Sequence, residues 1–579
     1  MIVGEVMAFD AHRIRSNLAH AHKVINSIQK TSGAPGLAIG IIHGGQIVHE
    51  DYRGHRDLQT AQPVTRETIF HVASLTKAIT AAAIGILVDR GDLAWDTPVG
   101  ALLPIADADK SQLTMVDFLS HRTGVTWADA LYLQSNNSIL LPKEESLRTF
   151  EYLPLVTQPR TRFLYNNHGY NIPGLVIEHL TKQSYGEFVH QNVFCPLDMT
   201  RTFTSQALDT NVAMPYNILS DGTPFPIPFC DVNGETMMFS GISVRTCMAD
   251  LLRLYQAYLG ALEPLIPVTR SRQAKPEGLF AMLGRRLLNS FTSSAHKNAC
   301  MPRASATEES KASTNVIRQA PDLFRPQISK IEETLFEQTH ALGWNRSQLP
   351  AKLDFGWNSE MVASMPLLGL SMQGRLAVWH GGNMPGTTAA VILLPETGTA
   401  VVVLQNSLGL CDAADWIAQL LVDCIFAGKP QHDYAKLAEE AVFNGISRMI
   451  RVQQQLDHDQ QHGTSCRPYE EYIGVYENSI KNWAIEIAIV TGKGLCLRFQ
   501  RRAHEEYQLR HYHYDVFVWN LSYDELVKRG QYIRPYTYYK LEFENGSDSS
   551  IQFLRWRHDP NVPDGEIFTK ACGDKELQS

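Results

Sequence analysis

Ile69-Phe70-His71-Val72-Ala73-Ser74-Leu75-Thr76-Lys77 leads directly into Ala78-Ile79-Thr80-Ala81-Ala82-Ala83-Ile84-Gly85-Ile86-Leu87-Val88. The second run is alanine-rich and apolar on nearly every face, which reads as a helix buried in a protein interior. A serine at the start of such a helix has first-turn backbone N–H groups beside it and the positive end of the helix dipole. Lys77, one turn on, shares a helical face with Ser74. A lysine held among apolar side chains is desolvated, so its pKa falls and it can take the serine proton. Spacing alone does not select this pair: Ser27-Ile28-Gln29-Lys30 and Ser294-Ala295-His296-Lys297 repeat it. The first closes an amphipathic helix and the second sits in a polar, basic stretch. Only Ser74 opens a buried helix.

On either side of that helix the chain alternates strand and helix signals. Residues 11–30 place Ile14, Leu18, Ala21, Ile25 and Ile28 on one helical face, and residues 168–198 read as mostly helical. Gly36–Ile42, the Gly44-Gly45 turn and Gln46–His49 read as a β-hairpin. Strands return at Leu376–Trp379, Ala389–Leu394 and Ala400–Leu404, the last two joined by Pro395-Glu396-Thr397-Gly398. Between them, about 262–350 is polar and poor in apolar residues, and reads as a long insertion. The expected fold is α+β: an antiparallel sheet with flanking helices, a helical subdomain over about 75–250, and an all-β C-terminal domain. Domain limits follow as 1–430, then a helix and linker over 431–466 with Asp457–Gly463 as the flexible part. An alternating, aromatic-rich module occupies 467–579.

Composition narrows the function. The 579 residues carry a net charge of -8 and no dense basic run, which speaks against nucleic-acid binding. No charge-poor apolar window reaches membrane-span length, and the N-terminus lacks the pattern of a signal peptide. Nine scattered cysteines without CxxC pairs point to free thiols in the cytoplasm. No histidine pair has metal-ligand spacing beside a carboxylate, so neither metal nor other cofactor is expected.

Four further segments carry a resemblance. Phe163-Leu164-Tyr165-Asn166-Asn167-His168-Gly169-Tyr170 looks like a Tyr-x-Asn motif, Leu119-Ser120-His121-Arg122-Thr123-Gly124 like an "LLSHTSG" loop, and Trp379-His380-Gly381-Gly382-Asn383-Met384-Pro385-Gly386 like a third motif on a late strand. Ser240-Gly241-Ile242-Ser243 with Asp250-Leu251 is similar to a "GGLxST…DL" segment. In order and spacing these resemble the serine β-lactamase and penicillin-binding-protein-like superfamily, in its class C and esterase-type branch, over roughly residues 20–425. Tyr472-Ile473-Gly474-Val475-Tyr476 is similar to the start of lipocalin-like β-barrel modules appended to such hydrolases.

The resemblance implies an acyl-serine enzyme with Ser74 as nucleophile and Lys77 and Tyr165 as its acid/base pair. It implies Asn167, His380, Gly381, Gly382 and Asn383 as substrate-binding residues, with the N–H groups of Ser74 and Asn383 as the oxyanion hole. From local sequence alone Tyr165 reads as a packing residue, and a phenol needs a cationic neighbour to act as a base. His380 departs from the lysine of true β-lactamases. It offers a directed hydrogen bond or a pH-dependent charge in place of a permanent one for a substrate carboxylate. An ester, lactone or amide of a small molecule is therefore the expected substrate. Glycines after it give a substrate room against the strand. His121 is expected to be structural. Hydrolysis, acyl transfer through the same intermediate, and a lapsed binding protein are the readings the sequence leaves open.

Overall fold

A strand that is apolar at successive positions needs cover on both faces, and the sheet built around Gly36–His43 has it. The computed structural model describes residues 11–206, 210–265, 316–331 and 336–571. Leu37, Ile39 and Ile41 join Ala390, Ile392, Val401 and Val403 in one buried cluster with the helices Ala11–Ser32 and Ala413–Ala427. Ala38 and Ile42 join Ala389, Val391, Val402 and Leu404 in a second cluster, with the helices Thr76–Arg90 and Met248–Leu262. Gly40 lies on that second face, where a Cβ would stand 2.5 Å from Met248 Sδ; glycine lets the helix approach.

The sheet has nine antiparallel strands. Their order is Gln62–Pro63, Gln46–Asp57, Gly36–His43, Thr399–Gln405, Thr387–Leu394, Leu376–Met384, Asn345–Gln348, Gln338–His340 and Ile328–Ser329. The expected strands near 375–405 and the early hairpin are all present. The stretch read as an insertion over 262–350 is too long at its C-terminal end, because 338–340 and 345–348 are strands, Asn345 pairing with Trp379. Their polar residues concealed them: Asn345-Arg346-Ser347-Gln348 lies toward the outer part of the sheet, where a strand need not be apolar at every position. Residues 266–315 and 332–335 lie outside the described residues.

The Thr76–Arg90 helix is buried on nearly every side and stops at Gly91, whose φ of 79° closes the last turn onto Leu87 and Val88. Ser27 and Lys30 stay within the amphipathic Ala11–Ser32 helix, and Ser294–Lys297 lie outside the described residues.

Tyr434–Asp459 is one helix, so most of the acidic part of the expected linker is helical. Beyond it, nine antiparallel strands from Gly474–Glu477 to Glu566–Lys570 make an all-β domain. Its two outermost strands, Glu506–Gln508 and Arg510–His513, are consecutive in the chain, so the sheet curls into a near-barrel. Trp483, Phe499, Trp519, Tyr538 and Trp556 fill it, and Leu131, Tyr132 and Leu133 from the N-terminal part of the chain belong to the same buried cluster. Residues 126–135 form the seam. Trp483 Nε1 donates to Leu131 O (2.6 Å), the Ser135 hydroxyl to Glu505 (2.7 Å), the Thr126 hydroxyl to Asp559 (2.6 Å) and the Tyr538 hydroxyl to Gln134 (2.6 Å). The C-terminal domain is therefore a wall of the same core. Residues 474–570 keep a sheet of their own while packing against residues 126–135.

Candidate active site

Ser74 sits in a short 3₁₀ turn, Ala73–Leu75, that runs into the Thr76–Arg90 helix. Ala73 has φ 45°, a strained value for a residue with a Cβ, and the turn is clamped by the Val72 N–H bonding to Val244 O at 3.1 Å. Lys77, three residues on, reaches back along the shared face. Its Nζ donates to Ser74 Oγ (2.9 Å), Asn167 Oδ1 (2.9 Å) and Gly241 O (3.3 Å). Burial pulls the Lys77 pKa down to about 7, with the Asp129 charge partly opposing the fall. Near neutral pH the amine and the ammonium are both populated.

Tyr165 OH donates to the same Ser74 Oγ at 3.0 Å, and Lys77 Nζ lies 5.1 Å from the Tyr165 ring centroid. Burial pushes the phenol pKa up, against the hydrogen bond to Ser74. The neighbouring Lys77 therefore does not make it a phenolate. Tyr165 rests as a proton donor, and the basic group is Lys77. Asn167 bridges onward, its Nδ2 donating to Asp129 Oδ2 at 2.9 Å.

His121 has no part in a charge relay. It has φ 57°, its Nδ1 accepts the Asn166 N–H at 3.0 Å, and its ring stacks on Tyr165 at 4.2 Å between centroids. Burial, with the charges of Lys77 and Lys330 adding to it, keeps it neutral. It is a brace for the Tyr165–Asn167 turn.

His380 is 3% exposed, and burial lowers its pKa to about 3, with Lys77 adding to the effect. It is neutral at physiological pH, which removes the option of a pH-dependent charge. Gly381 and Gly382 serve protein packing more directly than substrate access. A Cβ on Gly381 would stand 1.7 Å from Phe355 O, and one on Gly382 2.2 Å from Val72 O. Gly382 does not line the cavity; it lets the third-motif strand lie against the Ser74 turn. Asn383 donates from Nδ2 to Phe355 O (3.0 Å), and its carbonyl accepts from Tyr532 OH (3.1 Å).

Ser74, Tyr165, Asn167, His380, Gly381 and Asn383 line one cavity of about 460 Å³. Asp129, Lys330, Tyr532 and Arg534 line it too and were absent from the sequence reading. The Arg534 guanidinium lies 5.6–5.9 Å from the ring centroids of Tyr532, Tyr538 and Trp127, and its charge opposes the rise that burial imposes on the Asp129 pKa. These residues stand in loops without a motif, hundreds of residues from Ser74 in most cases.

Residues 21–296 match the family model for β-lactamase, and residues 458–570 match a domain of unknown function, DUF3471. An unguisins hydrolase of Aspergillus campestris is 23% identical over 64% of this chain and 58% of its own length. Penicillin-binding protein 4 of Amycolatopsis lactamdurans is 29% identical over 42% of this chain and 64% of its own. Esterase EstB of Burkholderia gladioli is 31% identical over 32% and 50%. The chain thus spans less than two thirds of the length of each of these relatives. The octameric penicillin-binding protein homologue from Pyrococcus abyssi has a similar fold, with a TM-score of 0.52 at 19% identity, over 95% of this chain and 99% of that one. The β-lactamase model over residues 21–296, the motif order and the similar fold agree with the resemblance to the serine β-lactamase and penicillin-binding-protein-like superfamily.

Proposed function

We propose that the chain is a serine hydrolase that works through an acyl-serine on an ester, lactone or amide of a small molecule. One observation carries the reading: Ser74 Oγ accepts hydrogen bonds from both Lys77 Nζ and Tyr165 OH, at 2.9 and 3.0 Å. The neutral fraction of Lys77 takes the Ser74 proton as Oγ forms its bond to the substrate carbonyl carbon. The N–H groups of Ser74 and Asn383 hold the resulting oxyanion. The tetrahedral species collapses as the Tyr165 phenol gives its proton to the departing alkoxide or amide nitrogen, and the Lys77 ammonium restores the phenol proton. Water then attacks the acyl-serine, losing a proton to Lys77, and Ser74 leaves as the protonated alcohol. The names of the relatives, a hydrolase and an esterase among them, support this class. An alcohol or amine in place of water would make the same intermediate an acyl-transfer device.

A fluorophosphonate probe followed by peptide mass analysis tests it. Adduct on Ser74, blocked by Ser74→Ala, is the expected result. Adduct elsewhere, or none on the folded chain, rejects the proposal.

A further inference from the structure

Three cationic side chains line the cavity beside the catalytic pair, and two of them are compensated. Arg448 is paired with Glu360 at 2.7 Å. Arg534 is stacked among aromatic rings and shares its field with Asp129. Lys330 is different. It follows the edge strand Ile328–Ser329, its backbone N–H bonding to Gln338 O at 2.9 Å, so its side chain starts at the outer end of the sheet. It then runs inward across two strands. Nζ donates to Asn345 Oδ1 at 2.8 Å and lies 4.8 Å from the Trp379 ring centroid and 5.4 Å from that of Phe163.

Asn345 and Trp379 are cross-strand partners, and the next residue on that strand is His380. The Lys330 charge contributes to holding both His380 and His340 neutral. The ammonium has three donors, and among the described residues one of them has a partner, a neutral amide. No carboxylate among the described residues lies within ion-pair distance; Asp354 acts only through its longer-range field. A desolvated ammonium held by one amide and two ring faces is costly unless an anion completes it.

We propose that Lys330 is the anion-binding group of this cleft, selecting substrates that carry a carboxylate on the same molecule as the scissile bond. It supplies laterally, from the sheet edge, the positive charge that a lysine at position 380 would have supplied from the third-motif strand. The expectation that His380 leaves a carboxylate without an anchor is thereby reversed. The inference rests on the acyl-serine reading and names the substrate class for it.

The test compares the p-nitrophenyl monoester of glutaric acid with its methyl diester counterpart, on the wild-type chain and on Lys330→Met, Lys330→Glu and Lys330→Arg. The wild type should favour the acid by about tenfold or more in kcat/KM, chiefly through KM, the scale of one charge-assisted contact. Lys330→Met should abolish that ratio, Lys330→Glu should invert it and Lys330→Arg should keep most of it. Equal use of the two esters by the wild type, or a ratio unmoved in Lys330→Met, overturns the inference. Fluorophosphonate labelling of Ser74 runs in parallel, so that an unlabelled wild type condemns the acyl-serine reading instead. If the variants do not fold, inhibition of the wild type by 3-carboxyphenylboronic acid and its carboxamide decides the matter. Tighter binding of the carboxylate by about tenfold supports the inference, and equal binding overturns it.

Discussion

The phenol of Tyr532, in the C-terminal β domain, donates a hydrogen bond to the backbone carbonyl of Asn383 at 3.1 Å. Asn383 is on the third-motif strand that lies against the Ser74 turn, so the second domain touches the backbone that would bind the oxyanion. Tyr532→Phe should lower kcat by up to about tenfold with little change in KM, the range of one hydrogen bond worth about 0.5–1.5 kcal/mol. Steady-state kinetics on a neutral p-nitrophenyl ester reads this. A variant with unchanged kcat would make the contact a packing detail.

Truncation near residue 460 should cost solubility. Leu131, Tyr132 and Leu133 share a buried cluster with Trp483 and Phe499, and removal of the β domain exposes them together with the acceptors now bonded to Trp483 and Tyr538. A soluble, monomeric truncated chain with an unchanged melting temperature would show that the shared core contributes nothing.

Ser74→Ala should remove turnover by at least about 10³-fold, the scale of a lost nucleophile, and Lys77→Ala should be nearly as damaging. Tyr165→Phe should cost about 10²-fold, as expected of acid–base assistance. Circular dichroism melts should show Ser74→Ala folded. Full single-turnover acylation by Tyr165→Phe would return Tyr165 to a packing role.

Activity should rise with pH through about 7, because only the neutral Lys77 amine can accept the Ser74 proton and burial sets its pKa there. Protonation below that value removes the base, so kcat/KM falls on the acid side. His380, with its pKa lowered to about 3, makes no contribution to that limb. The profile for a neutral ester between pH 5 and 9 checks both statements. A limb that disappears in His380→Gln would transfer the titration to the histidine.

Asp129→Asn should move that limb to lower pH, because the Asp129 charge raises the Lys77 pKa against the effect of burial. It should also loosen Asn167, whose amide donates to the carboxylate at 2.9 Å. A limb shifted upward would contradict the assigned electrostatics.

How far the sequence reaches into this site depends on chain separation. Ser74 and Lys77 were legible because helical geometry alone puts residues three apart on one face, and the apolar run after them requires burial. The central strands were legible for a similar reason: Ile39, Ile41, Val391 and Val402 are apolar on both faces because both faces are covered. Tyr165, Asn167 and Asn383 came through motif order, without geometry. The strand Asn345–Gln348, two strands in from the sheet edge, was lost within a polar stretch, since its side chains carry no apolar signal of their own. Asp129, Lys330, Tyr532 and Arg534 had no signal at all. Each is an ordinary loop or edge residue until packing brings it to the cleft, Tyr532 across 149 residues to Asn383. The local helix thus singled out Ser74 and Lys77. The long-range packing of two sheets decided what surrounds it, because desolvation and converging charge are properties of the assembled core and of no single segment.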